Sequence, residues 1–287
     1  MRRLAPHGSR GAVSAMQIRG LSEIASRFDG MLIDQFGVVH DGQKLYPGSL
    51  RILSELKAMN IPVAVMTNSG KRAEANRQRL VRMGVPRGHF VDAVSSGEVA
   101  HATLFPFSRD DVMGEGARRA DEGPLHAYLI GKDGEDYGFD GITFVETLRD
   151  ADVILILGSN APKTSLEQYR ERLKGLTLPA ICCNPDKLML TPDGLLPAPG
   201  AIAALYEEMG GKVTWIGKPY AAIYQHAARL IGNPKRILCI GDSAEHDVAG
   251  GRNAGFSTLL VLTGVSQGHD SAMLDPEPDY WMDSFTW

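Results

Sequence analysis

Short apolar runs alternate along the chain with stretches in which apolar residues return every three or four positions. The runs at 31–34, 63–67, 90–94, 127–130, 153–157, 178–182, 213–216, 237–241 and 258–262 predict strands. The longer period predicts helices at 48–58, 71–83, 97–104, 165–174, 200–209, 220–231 and 246–254. Such alternation argues for an α/β fold of parallel βαβ units, with helices on both faces of the sheet. Runs such as 153–157 and 258–262 are apolar on both sides, as strands covered on both faces should be.

Four strands end in a polar cluster followed by a helix: at Asp34, at Thr67-Asn68, at Gly217-Lys218 and at Gly241-Asp242. Ligands of open parallel sheets sit beyond the carboxyl ends of the strands, so these four ends predict one crevice. Between about 100 and 198 no strand end carries a comparable cluster. We read 100–198 as an inserted second domain, with 17–99 and 199–287 forming the core. Residues 106–124 are charged, Gly-rich and aperiodic, which predicts a long exposed loop. Residues 1–16 are basic, lack acids and are rich in small side chains, which predicts a floppy tail, with a transit peptide as the alternative.

Composition narrows this picture only a little. A hydrophobic fraction of 44% over 287 residues suits an ordinary globular core. A net charge of −4 gives no reason to expect a nucleic-acid partner. No apolar run is long enough for a membrane span, so a membrane partner is not expected either. Cys182, Cys183 and Cys239 form no CxxC pair, which argues against a zinc site or disulfide framework and suits a reducing, cytoplasmic location.

The chemistry concentrates at the strand ends. Asp34 ends an apolar strand, and Gly37 lets the backbone turn away, leaving a carboxylate able to attack phosphorus. Asp242 stands at another strand tip, and Asp247 follows five residues later at the start of a helix. Three acids in one crevice repel one another unless a cation sits among them, and hard oxygen ligands suit Mg²⁺. Thr67, Asn68 and Ser69 precede a helix and form an anion cradle, or simply cap it. The Lys218 ammonium is suited to neutralising charge as phosphoryl transfer proceeds. The G-x-x-x-x-G-K-[ST] loop of P-loop NTPases and the HExxH of zinc proteases are absent, and a serine nucleophile is not expected.

The ordered set Asp34, Thr67, Lys218, Asp242 and Asp247 resembles the four motifs of the haloacid dehalogenase superfamily. The stretches Ser-Ser-Gly-Glu-Val (95–99), Cys-Asn-Pro-Asp-Lys (183–187), Pro-Gly-Ala-Ile (199–202) and Gly-Gly-Lys-Val-Thr-Trp-Ile-Gly-Lys-Pro (210–219) are similar to subfamily IIA. That group includes 4-nitrophenyl-phosphatase-like and N-acetylglucosamine-phosphate-phosphatase-like proteins. The resemblance implies a Rossmann-like core with Asp34 on a central strand and an α/β cap inserted between the second and third motifs. It implies Mg²⁺ held by Asp34, the backbone carbonyl of Phe36 and Asp242, with Asp247 as an outer ligand or a support. Thr67 and Asn68 would hold the transferring phosphate and Lys218 would bridge. Asn184 and Asp186 of the cap would face the leaving group, with a plain Asn-Pro turn as the alternative.

One position departs from the resembled family. Its phosphatases usually carry a second Asp two residues after the nucleophile, to protonate the leaving group and then activate water. Here that position is Phe36, which can donate only its carbonyl. General acid–base help worth roughly 10²–10⁴-fold is then missing. His40 and Asp41, which follow the turn, and His246, where the family usually has Thr, are the candidate substitutes, with His246 able to titrate near neutrality. The expected function is Mg²⁺-dependent hydrolysis of a small phosphorylated metabolite through an aspartyl-phosphate. A phosphate-binding or regulatory protein with little turnover is the alternative, and a dehalogenase a minor one. A homodimer is the assembly left open.

Overall fold

The computed structural model describes residues 15–104, 125–191, 194–268 and 275–287. The loop expected at 106–124 and residues 1–14 of the expected tail lie outside the described residues. In chain order the elements begin with β1 (Met16–Gln17), β2 (Gly30–Asp34), α1 (Ser49–Ala58), β3 (Val63–Thr67), α2 (Ala73–Arg82), β4 (Asp92–Ser95) and α3 (Ser96–Leu104). There follow β5 (Leu125–Ile130), β6 (Ile142–Val145), β7 (Val153–Ile156), α4 (Leu166–Leu173), β8 (Ala180–Cys182), β9 (Leu188–Thr191), β10 (Gly194–Pro197), α5 (Pro199–Glu208) and β11 (Val213–Trp215). The chain closes with α6 (Ala221–Leu230), β12 (Ile237–Gly241), a π turn (Ala244–Val248), α7 (Ala249–Asn253), β13 (Ser257–Val261) and β14 (Tyr280–Met282).

Seven strands form one parallel sheet in the order β1-β14-β13-β12-β2-β3-β4. Its central strands are buried on both sides, as their composition requires. Met31 and Ile33 of β2 join one apolar cluster with Val63, Val65, Leu238 and Ile240. Leu32, between them, joins a second cluster with Ala64, Met66 and Cys239. From β2 the chain runs outward through β3 and β4, whereas β12, β13 and β14 extend the other way. The order therefore reverses between β2 and β12, where open α/β sheets place their ligands.

Five strands form a second parallel sheet in the order β11-β8-β7-β5-β6. One face packs against α4 and α5 through Ile154, Ile156, Tyr169, Leu173, Ile202 and Tyr206. On its other side Ala127, Val153, Leu155 and Ile181 belong to the same apolar cluster as Leu32 and Met66 of the first sheet. Beyond β8, β9 and β10 pair as an antiparallel hairpin.

Two boundaries read from the sequence need correction. Met16 was assigned to the tail, but it pairs with Tyr280, and the Ala15 amide donates to Glu277 at 2.8 Å. Two residues are too few to show a periodicity. The second unit was ended at 198, but β11 pairs with β8 and α5 packs on the second sheet. The polar cluster Gly217-Lys218 had marked this stretch as core, yet the strand that precedes it belongs to the second sheet.

Candidate active site

Asp34 ends β2 and Asp242 follows the last residue of β12, and Ile33 lies in register with Ile240 across the two strands. Asp247 is brought in by the π turn, in which Ser243 O accepts from both Asp247 N (2.9 Å) and Val248 N (3.2 Å). Single π turns of this kind recur at functional sites because they redirect one side chain. Asp34, Asp242 and Asp247 are all buried, with carboxylate oxygens within 4.8 Å of one another.

Lys218 enters from the loop after β11 and is buried, not solvent-facing. Its Nζ lies 2.7 Å from Asp34 Oδ1 and 2.8 Å from Asp247 Oδ1. Burial alone would lower its pKa, but Asp247 and Asp34 outweigh it and hold the ammonium charged, well above the ordinary lysine range. Burial pushes Asp34 above the usual carboxylate range against the pull of Lys218, and Asp247 and Asp242 add to the rise. Burial, with Asp247 next, raises Asp242 to about 7. Three carboxylates face one ammonium in a buried space, an imbalance that a bound cation would relieve.

The hydrogen-bond inventory fits a divalent cation and separates the three acids. Asp247 uses both oxygens on the protein, Oδ1 with Lys218 and Oδ2 with Ser243 N at 3.1 Å. Asp242 Oδ2 accepts from Val265 N at 2.8 Å. Asp34 is held through Oδ1 by Lys218 and Asp242 through Oδ2 by Val265, and these bonds leave the second oxygen of each acid for an ion. The donor set thus has two hard oxygens to offer an ion such as Mg²⁺, with Asp247 behind them. Space for Asp242 is made by two glycines. A Cβ at Gly37 (φ +90°) or Gly264 (φ +51°) would overlap its carboxylate.

The expected phosphate cradle is brought to the same place, but its groups are partly committed. Thr67 Oγ1 accepts from Ser69 N at 3.2 Å, and Ser69 Oγ from Lys71 N at 3.3 Å. Asn68 is tied at both ends of its amide. Its Oδ1 accepts from Lys218 N at 2.7 Å, while its Nδ2 donates to Lys218 O at 3.2 Å and to Asp186 Oδ1 at 2.8 Å. In this arrangement Asn68 fixes Lys218 and the loop after β8. Asn184 forms that loop by accepting from Asp186 N at 3.1 Å, as an Asn-Pro turn former does. Asp186 also lies 3.9 Å from His246 Nε2, and His246 Nδ1 lies 3.2 Å from Ser243 Oγ.

Gln35 and Ser266 escaped the sequence reading, and His40, a candidate proton source there, is shut away. Gln35 is buried beside Asp34, and both its amide atoms lack a partner among the described residues. His40 is fully buried and accepts from Gly42 N at 3.0 Å through Nδ1. Burial, helped by Arg79, lowers its pKa to about 4. The string Gly264-Val265-Ser266-Gln267-Gly268 has the G-x-S-x-G spacing of a serine-hydrolase elbow. Here Ser266 is buried, and the turn serves Asp242 through Gly264 and Val265. Serine-nucleophile chemistry therefore has no exposed hydroxyl at this motif.

Comparison with known proteins places this geometry. Residues 31–113 match the family model of haloacid dehalogenase-like hydrolases, and residues 215–287 match a second, HAD-hydrolase-like model. The chain belongs to the haloacid dehalogenase-like hydrolases. It is 28% identical to dihydroxyacetone phosphatase of Corynebacterium glutamicum, over 82% of this chain and 81% of the relative. A haloacid dehalogenase-like hydrolase from Brucella suis superposes with a TM-score of 0.79 at 25% identity, covering 94% of this chain and all of that one. The glycerol phosphate phosphatase of Mycobacterium tuberculosis, solved in complex with magnesium, superposes with a TM-score of 0.66 at 25% identity. That match covers 90% of this chain and 76% of the other.

Proposed function

We propose that the protein is a Mg²⁺-dependent phosphohydrolase of a small phosphorylated metabolite, acting through an aspartyl-phosphate on Asp34. The observation that carries this reading is the buried quartet at the switch point, in which Lys218 contacts Asp34 and Asp247 and Asp242 completes the acidic cluster. Asp34, the Phe36 carbonyl and Asp242 would hold the ion, with Asp247 as outer support. Bound Mg²⁺ supplies positive charge that screens the nucleophile from the phosphate and stabilises the transferring group. Lys218 adds its ammonium on the same side. Thr67 and Ser69 offer hydroxyls to the phosphate, and Asn68 keeps Lys218 in place. The second sheet with α4 and α5 is the cap, and its Asn184–Asp186 loop closes over the leaving group and keeps bulk water out. Relatives named dihydroxyacetone phosphatase and glycerol phosphate phosphatase support the small-substrate class.

The test is phosphate release from a metabolite panel with Mg²⁺, wild type beside Asp34→Asn. Release by the wild type that Asp34→Asn and metal chelation both abolish is the expected result. Release that persists in Asp34→Asn sinks the reading. Phe36 favours a second reading, a phosphate-binding protein without turnover. Under it, phosphate and Mg²⁺ raise the melting temperature by mass action but no substrate is hydrolysed.

A further inference from the structure

Phosphoryl transfer to Asp34 leaves a charged oxygen on the departing group, and among the described residues we find no free acid placed to protonate it. Phe36, two residues after the nucleophile, is 48% exposed and has no proton to give. Its ring stands edge-on to His40 and lies over the backbone of Gly42, where an added Cβ would come within 2.9 Å of it. The neighbouring groups that carry protons are engaged or shut away. Lys218 is bound to Asp34 and Asp247. His40 is fully buried. His246 has one ring nitrogen at Ser243 Oγ and the other facing Asp186, which Asn68 fixes in turn.

We propose that this site selects phosphorylated substrates whose leaving group departs as a stable anion without protonation, namely acyl, enol or aryl phosphates, and discriminates against alkyl phosphates. This rests on the phosphohydrolase reading and narrows its substrate class. In the first step an Asp34 oxygen bonds to phosphorus as the bond to the leaving oxygen breaks. The electron pair of that bond goes with the leaving oxygen. A carboxylate, enolate or phenolate carries that charge unaided, whereas an alkoxide needs a proton at the moment of cleavage. In the second step water bonds to the same phosphorus and the bond to Asp34 breaks. The carboxylate is restored, and the proton from water passes to solvent or to the released phosphate. With no base at position 36 this step is also slow, so the phosphoenzyme builds up when the first step is easy.

The experiment compares kcat/KM with Mg²⁺ for acetyl phosphate, phosphoenolpyruvate and 4-nitrophenyl phosphate against glycerol 3-phosphate and glucose 6-phosphate. The three activated arms separate acyl, enol and aryl sources. The expected preference for activated over alkyl phosphates is at least about 10²-fold, the lower end of what general acid help is worth. Phe36→Asp narrows that ratio by raising alkyl turnover, and Phe36→Ala, which removes the ring but supplies no acid, does not. Acetyl phosphate adds one phosphoryl group to the intact mass of the wild type and none to Asp34→Asn. Alkyl phosphates turned over within tenfold of the activated ones overturn the proposal and leave the phosphohydrolase reading intact. A selective loss of alkyl turnover in His246→Gln also overturns it, because His246 would then be the proton donor. If no substrate releases phosphate and no phosphoenzyme forms, both readings fall together.

Discussion

His40 carries a cost that varies with pH. Its imidazole is fully buried, its Nε2 has no partner among the described residues, and its pKa is lowered to about 4. In the unfolded chain a histidine takes up its proton near pH 6.5. Below that value the unfolded state binds a proton that the folded state refuses, so stability falls as the pH drops from about 6.5 to about 4. The loss is at most about 3 kcal/mol for a shift of this size. Urea midpoints across that window should show it, and His40→Gln should flatten the curve. The residues themselves were unequally legible in the sequence. Asp34 and Asp242 stand at the ends of apolar strands, where local pattern alone exposes them. The role of Asn68 was hidden, because its partners Asp186 and Lys218 lie 118 and 150 residues away along the chain. His40 was legible only as a possible proton source, since one histidine after a turn looks the same whether buried or exposed.

At the scale of elements, every apolar run that predicted a strand forms one, and β2, β3, β7, β8 and β12 write the densest local signal because they are buried on both faces. The strands that were missed are short, paired late or marginal. β1 and β14 have two and three residues, and β6 has no buried residue. The hairpin of β9 and β10 could have been found, since Pro-Asp-Gly separates its two apolar runs. The turn after β2 depends on Gly37, and its replacement separates strain from overlap. Gly37→Ala puts a side chain at φ +90° and into the Asp242 carboxylate. Gly84→Ala meets a comparable φ of +101° with nothing within 4 Å. Both should lower stability by about 1–2 kcal/mol through backbone strain. Only Gly37→Ala should also abolish the rise in melting temperature on adding Mg²⁺, read by scanning calorimetry.

At the scale of the molecule, the two sheets are joined by ion pairs as well as by apolar packing. Arg72 holds Glu98 through Nε (2.7 Å) and Nη2 (3.2 Å), and reaches across to Asp140 at 3.1 Å. Lys71 pairs with Glu135, and His101 Nε2 meets Asp140 at 2.6 Å. Arg72→Ala should cost about 1–2 kcal/mol in urea unfolding, since charge-assisted bonds of a half-buried arginine are lost. It should also raise KM more than it lowers kcat, because the catalytic groups are untouched while the second sheet sits less firmly over them. The existence of an inserted unit was readable from the absence of polar strand ends between 100 and 198. Its true extent was not, because β11 joins a sheet whose other strands precede it by thirty residues or more.

Asn68 gives this arrangement a thermodynamic sign. One amide holds the backbone of Lys218 on one side and Asp186 of the covering loop on the other. Any free energy these two bonds share is reciprocal by linkage. If seating the loop improves the alignment of Lys218 toward an anion, then an anion on Lys218 must draw the loop down by the same factor. An enzyme coupled in this way is armed by its own ligand and stands at ease without it.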